Sequence, residues 1–95
     1  MSWIISQPYY KIERELHSGG QSAVVHARVM YLYPDQVVTF ARTFRLEDVF
    51  DMSYRHVGAS EGFLYLHTNQ GVFPYMVKED PACFIQSYRE ARKKG

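Results

Sequence analysis

The sequence lacks several features that would identify a function class directly. Its single cysteine, Cys83, excludes an internal disulfide and every zinc motif built on several thiolates, which is typical of a protein from a reducing compartment. Long hydrophobic runs are also missing. The opening MSWIISQPYYK has no charged leader and only a short apolar run, so we expect neither a signal peptide nor a membrane span. The expected location is the cytoplasm.

An excess of charge of either sign is missing as well. Eleven Lys and Arg are balanced by ten Asp and Glu, giving a net charge of +1. No domain-wide field therefore draws the protein to nucleic acid or to an anionic membrane. The 95 residues, 46% of them hydrophobic, are enough for one core, so we expect a single domain over 1–95.

Strand-like alternation dominates what is present. Period-two patterns, separated by turn-forming stretches such as HSGGQS at 17–22, predict strands at Tyr9–Leu16, Ser22–Tyr33, Gln36–Arg42 and Val49–His56, and a hairpin over 61–78 with its tip at Asn69-Gln70-Gly71. In this interpretation the strands occupy 9–78, and residues 1–8 form an N-terminal arm.

The strand at Ser22–Tyr33 has two chemically different faces. Its odd positions are all apolar: Ala23, Val25, Ala27, Val29, Tyr31 and Tyr33. Its even positions include Ser22, His26 and Arg28. This alternation places His26 outside.

The last segment changes its period. Over 80–94 the apolar residues Phe84, Ile85, Tyr88 and Ala91 form one stripe of a helix. Asp80 is suited to cap this helix, and Pro81 fits the first helical position, where no N–H is needed. We expect a C-terminal helix over 80–94.

This order of elements resembles the pleckstrin-homology-like family, in particular its small bacterial members. The resemblance covers the chain from about Tyr9 to Lys94 and is carried by GFLYLHTNQGVFPYMVKEDP, with strands through Lys78 and an acidic-Pro helix start. It implies a mainly β (α+β) fold: a PH-like barrel or sandwich of six to seven antiparallel strands with one C-terminal α-helix.

The resemblance also implies a range of functions. Members of the family bind phosphoinositides, peptides or other proteins, or assemble with themselves, and they are rarely enzymes. Those that bind phosphoinositides carry Lys and Arg around the loop joining their first two strands. The corresponding HSGGQS has neither, which argues against phosphoinositide binding.

The hairpin over 61–78 carries apolar side chains on both faces. One face has to meet a core, and the other either completes a two-sided core or forms a partner surface. The predicted interaction patch consists of Phe63, Tyr65, Phe73 and Tyr75, with Trp3 in the arm. We interpret the chain as a non-catalytic protein-interaction or self-assembly module whose partner is another protein or itself, forming a homo-oligomer.

Two other function classes remain open. An enzyme or metal-binding protein would use Cys83 or the histidines at positions 17, 26, 56 and 67, whose spacings match no compact metal motif. A small β-barrel nucleic-acid binder would use Arg28, Arg42 and the basic end of the helix. Neither pattern defines a site, so we expect no catalytic residue, cofactor, metal or nucleic-acid ligand.

Overall fold

A computed structural model describes residues 3–17, 19–58 and 61–94. These residues contain seven strands followed by a helix. The elements are β1 (Ile5–His17), β2 (Gly20–Leu32), β3 (Gln36–Val38), β4 (Thr43–Arg45), β5 (Val49–His56), β6 (Gly62–Thr68), β7 (Gly71–Val77) and α1 (Ala82–Lys94), with a 3₁₀ turn at Leu46–Asp48.

All neighbouring strands pair antiparallel in one sheet, in the order β4-β3-β2-β1-β7-β6-β5. The sheet is strongly curled: the rings of Phe44 on β4 and Phe73 on β7 lie 5.1 Å apart, although three strands separate β4 from β7 in the sheet. The expected mainly β fold, with antiparallel strands and one C-terminal helix, is confirmed.

The first strand begins earlier than the sequence predicted. Residues 5–8 pair with 29–32 of β2, so β1 starts at Ile5 rather than at Tyr9. Residues 5–8 of the expected arm are therefore strand, Trp3 and Ile4 are the described residues that precede it, and residues 1–2 lie outside the described chain. This segment is strand because it pairs with β2, and the pattern of apolar residues within the segment does not show that pairing.

The predicted strand Gln36–Arg42 ends after three residues. The chain turns at 39–42, where Thr39 N–H donates to the Arg42 carbonyl at 2.8 Å and the Thr39 hydroxyl accepts from Arg42 N–H at 3.1 Å. A strand that the sequence did not predict, β4, then returns along β3. The side-chain hydrogen bond of Thr39 offers the backbone an alternative to continuing the ladder.

The core-facing side of β2 is the opposite of what its alternation suggested. Met30 and Leu32, at even positions, are fully buried, whereas Val25 and Val29 at odd positions are exposed. His26 is half-buried and lies on the same face as Met30, so its expected outward placement is wrong. Only the last residues of β2 reach the core, and those at even positions are buried in it.

The core lies between the inner face of the curled sheet and α1. Its buried side chains come from all these elements: Tyr9, Met30, Leu32, Val37, Phe44, Leu46, Val49, Met52, Leu64, Leu66, Val77, Phe84, Ile85 and Tyr88. The predicted helical stripe is confirmed, because its three large members, Phe84, Ile85 and Tyr88, are all buried.

Both ends of α1 are fixed by polar contacts. Asp80 Oδ1 accepts a hydrogen bond from Ala82 N–H at 2.9 Å, which confirms the predicted cap. Towards the C-terminus, the Tyr88 hydroxyl and Arg92 Nη1 both donate to the main-chain carbonyl of Val49 at the start of β5. The helix is thereby held on the edge strand of the sheet.

The β1–β2 hairpin leaves the body of the sheet part-way along its length. Among the described residues, β1 pairs with β7 at the single position Tyr10–Met76. Beyond it, residues 12–17 and 20–25 pair with each other and with no third described strand. The hairpin therefore projects as a two-stranded ribbon from a molecule that measures 53 × 27 × 25 Å.

Candidate interaction surface and cleft

The strand register defines a continuous outer face of the sheet, opposite to the core. Arg55, Phe63, Met76, Tyr10 and Ala27 are successive direct partners on β5, β6, β7, β1 and β2. Directly paired residues of antiparallel strands point to the same side. This row therefore crosses five strands on one surface, which we call the outer face.

The outer face continues along the projecting hairpin and is apolar there. Pro8 pairs with Val29 and Ile12 with Val25, on the same side as Tyr10. Ile12 is 48% exposed and Val25 is 52% exposed. These pairs form an apolar strip from Pro8–Val29 to Ile12–Val25, and contiguous exposed apolar surface of this kind usually marks an interaction site.

Trp3 lies at one end of this strip. Its ring is 5.4 Å from that of Tyr31, an odd-position residue of β2, and the tryptophan is 48% exposed. The structure thus places this predicted contact residue beside the outer face of the hairpin.

The four predicted patch residues of the 61–78 hairpin do not share one surface. Phe63 and Tyr65 lie on the outer face, half-buried, with ring centroids 6.2 Å apart. Phe73 and Tyr75 are paired with the buried leucines of β6 and pack against the core. The patch is therefore split between the two sides of the sheet.

A cleft opens where β1 and β7 diverge after the Tyr10–Met76 pair. It has a volume of about 370 Å³. The turn 39–42 contributes one wall and β7 another, and the lining is rich in aromatic rings: Tyr10, Phe40, Phe63, Phe73 and Tyr75. At the cleft, Phe73 and Tyr75 therefore lie beside Tyr10 and Phe63, although these two pairs belong to opposite sides of the sheet.

The turn that forms this wall is held by the first strand. Phe40 N–H donates to the Tyr9 hydroxyl at 3.0 Å, while the Tyr9 ring packs edge-on against Tyr75 at 5.1 Å. Burial raises the pKa of Tyr75 above its usual value of 10, partly offset by the Thr39 hydroxyl. Tyr75 is therefore a neutral phenol at neutral pH and can donate a hydrogen bond.

The charged side chains described at the cleft are cationic. Arg28 places its guanidinium 4.0 Å above the centre of the Phe40 ring, and Arg42 lies 4.7 Å from that of Phe73. Lys11 also contributes to the lining, and no aspartate or glutamate is among the described residues that line the cleft. The described lining therefore combines aromatic rings with two guanidinium groups.

One of these cations carries an unsatisfied donor. Arg28 Nη1 donates to the Ala27 carbonyl at 3.3 Å, but its Nε is buried without a hydrogen-bond acceptor in the described part of the chain. A buried donor without an acceptor costs free energy, and this nitrogen is closed off from solvent.

The alternative catalytic and metal residues are not gathered into a site. Cys83 is exposed on α1 rather than part of the core. Of the four histidines, the side chain of His17 lies outside the described residues, and His56 is at the exposed end of β5. Across 3–17, 19–58 and 61–94, no three His, Cys, Asp or Glu side chains are placed to hold a metal ion.

A hydrogen bond that sequence reasoning missed joins Ser53 and His67. Ser53 Oγ and His67 Nε2 lie 2.7 Å apart on the outer face of β5 and β6. The two residues are fourteen apart in sequence, and only strand register brings them together. Activation of a serine also requires a third group that orients the histidine, and none is bonded to His67 in the described region.

The residues of the nucleic-acid alternative are widely separated. Arg28 and Arg42 lie at the cleft, whereas the basic end of α1 contacts β5. There Arg89 is 3.4 Å from Asp51, and Arg92 bonds to the main chain. The structure does not bring these cations into one groove.

No protein-family model matches the chain, and no curated protein or solved structure shows significant similarity to it. The described part of the chain contains no helix with the length and apolar character needed to cross a bilayer.

Proposed function

We propose that this protein is a non-catalytic interaction module that assembles with a second copy of itself through its outer face. The observation that carries the proposal is the apolar strip on the projecting hairpin, where Ile12, Val25 and Val29 face solvent. A cytoplasmic location belongs to the same proposal and is supported by the free, exposed thiol of Cys83.

The physics of the hairpin supports a partner that covers it. A two-stranded ribbon with no core of its own is marginally stable in water. Residues 12–17 and 20–25 form such a ribbon, with backbone edges that have no neighbouring strand in the described part of the chain. A second copy could cover the apolar strip and pair with an exposed edge.

The available area supports an interface larger than the hairpin alone. The strip spans residues 8–12 of β1, which at ~3.4 Å per residue and ~10 Å across the two strands gives roughly 170 Å². A stable complex usually buries about 800 Å² on each partner. The outer face of β6 and β7, carrying Phe63 and Tyr65, adjoins the hairpin through the Tyr10–Met76 pair and provides further area.

Two further features agree with this proposal. The net charge of +1 produces little repulsion between two copies. The pleckstrin-homology-like assignment remains part of the proposal, supported by the order of seven antiparallel strands followed by a C-terminal helix.

Light scattering over a concentration series tests the assembly. The wild-type protein is expected to reach twice the mass of the chain at tens of micromolar. Val25→Asp is expected to remain monomeric, because a carboxylate would have to be buried in the interface. Val57→Asp is the matched control, since Val57 is 60% exposed and follows β5, the edge strand that β7 and β6 separate from the hairpin.

Three outcomes would contradict the proposal. They are a wild-type protein that stays monomeric throughout the series, a Val25→Asp variant that dimerises like wild type while retaining its circular dichroism spectrum, and a Val57→Asp variant that loses assembly equally. The last outcome would indicate a different interface.

A further inference from the structure

We propose that the cleft between β1 and β7 binds a small amphiphilic carboxylate, an organic anion with an apolar acyl or aromatic body. The cleft shares Tyr10, Ile12, Phe63 and Met76 with the outer face, but binding in it does not require the self-assembly proposed above. The inference combines the size of the cleft, its aromatic lining and the sign of its charged groups.

The dimensions of the cleft suit a small molecule. Ligand pockets in proteins typically enclose about 300–1,000 Å³ and are lined mainly by apolar and aromatic side chains. This cleft has about 370 Å³ and is lined by rings from β1, β6, β7 and the 39–42 turn. An acyl chain or a ring system of modest size would be covered on several sides.

The opening follows from the sequence of β7. Pro74 lies in the middle of this strand and has no N–H to donate. Proline is tolerated in strands where a ladder hydrogen bond is not required, as at an edge. Within the described chain, β7 is paired along its whole length with β6 but with β1 only at Met76, which leaves Pro74 at the cleft.

The charges of the cleft select an anion. Arg28 and Arg42 line it, and no described lining residue carries a carboxylate. The guanidinium groups of Arg28 and Arg42 lie over aromatic rings, which removes part of their hydration. An anion bound beside partly desolvated guanidinium groups is held more strongly than one at an open surface.

The guanidinium of Arg28 gives this charge preference a direction. Its Nε is closed off from solvent, so a ligand would meet the terminal nitrogens Nη1 and Nη2. A carboxylate is planar and accepts paired hydrogen bonds from a guanidinium. A ligand whose carboxylate reaches the terminal nitrogens of Arg28 would place its apolar body against the rings of Phe73 and Tyr75.

Isothermal titration with three probes, each carrying a ten-carbon chain, tests the charge preference. Decanoate is expected to bind, whereas decanol and decyltrimethylammonium are expected to bind at least ten-fold more weakly. In amide NMR spectra, decanoate should shift the signals of residues 39–42 and 73–76. Phenylbutyrate, as an aromatic carboxylate, then reports which kind of apolar body the cleft prefers.

Charge variants identify the binding groups. Arg42→Gln is expected to weaken decanoate binding about ten-fold, in line with the loss of one contact to a charged group. Arg45→Gln is the matched control, because Arg45 lies on the same stretch of chain but outside the cleft, in an exposed ion pair with Glu47. Arg28→Lys keeps the charge but removes the planar fork, so it should also weaken binding.

Each measurement is repeated in the Val25→Asp background, which separates binding from assembly. Equal affinity for all three probes, shifts confined to the outer face of the hairpin, or equal losses in the Arg42 and Arg45 variants would overturn the proposal. Failure of the dimer with retained decanoate binding would overturn only the self-assembly proposal.

Discussion

At the scale of single residues, Gly62 is the described glycine with the least room for a side chain. A Cβ there would lie 2.7 Å from the Arg55 carbonyl oxygen and 2.6 Å from a ring carbon of Tyr54. Backbone atoms of a paired strand cannot move away without disturbing the β5–β6 ladder. The position at the start of β6 therefore requires glycine for reasons of space.

Gly62→Ala is accordingly expected to destabilise the fold by about 1–3 kcal/mol, the usual cost of overpacking. Gly58→Ala is the control, because nothing lies within 4 Å of a Cβ at Gly58 and its exposure is high. Urea unfolding followed by circular dichroism measures both. A Gly62 variant as stable as the Gly58 variant would show that the ladder relaxes there.

The split of the predicted patch is also a residue-scale result. Phe63 and Tyr65 alternate with buried leucines, whereas Phe73 and Tyr75 alternate with the exposed Val72 and Pro74 on the next strand. With apolar side chains at both odd and even positions, a period of two identifies the strand but not the side that meets the core. The register of β6 with β7, which sets the faces, depends on where the turn lies.

At the scale of elements, α1 was predictable because independent signals agree. Its apolar stripe, the Asp80 cap and the proline at 81 all indicate the same start, and the first helical hydrogen bond runs from Ile85 N–H to the Pro81 carbonyl. For β2, a single signal was available. Its alternation predicted a strand correctly, but the face with more apolar residues proved to be the exposed one.

The Asp80 cap can be tested within α1. Asp80→Ala is expected to lower the free energy of unfolding by about 1 kcal/mol, because the Ala82 N–H loses its acceptor. Asp80→Asn should retain most of the stability, since its side-chain oxygen can accept the same hydrogen bond. Glu79→Ala is a neighbouring control, and thermal unfolding compares the three. Equal effects at 79 and 80 would mean that loss of negative charge, not the cap, is responsible.

At the scale of the whole molecule, the projecting hairpin makes the shape unusually extended. The radius of gyration is 14.6 Å, whereas a compact chain of this length would have a radius of about 12.4 Å. The hairpin adds length without adding core, because its buried residues lie in the half that joins the sheet. The sequence predicted both strands but could not show how far they extend beyond their neighbours.

Hydrogen exchange tests whether the projecting ribbon opens more easily than the rest of the sheet. In dilute protein, amides of 12–17 and 20–25 are expected to exchange faster than those of β5 to β7, because local opening of a two-stranded ribbon costs little free energy. At high concentration, assembly should protect the ribbon. Mass spectrometry at two concentrations checks both, and Val25→Asp should show the dilute pattern throughout. Slow exchange in the dilute ribbon would contradict its marginal stability.

Both proposed activities involve the place where β1 diverges from β7. Tyr10 and Ile12 line the cleft and also begin the ribbon, so a molecule wedged there would set the angle at which the ribbon leaves the sheet. By thermodynamic linkage, any occupant that favours the angle found in the dimer must tighten assembly, and assembly must raise the affinity for that occupant by the same factor. A single opening between two strands can therefore convert the presence of a metabolite into a change of quaternary state.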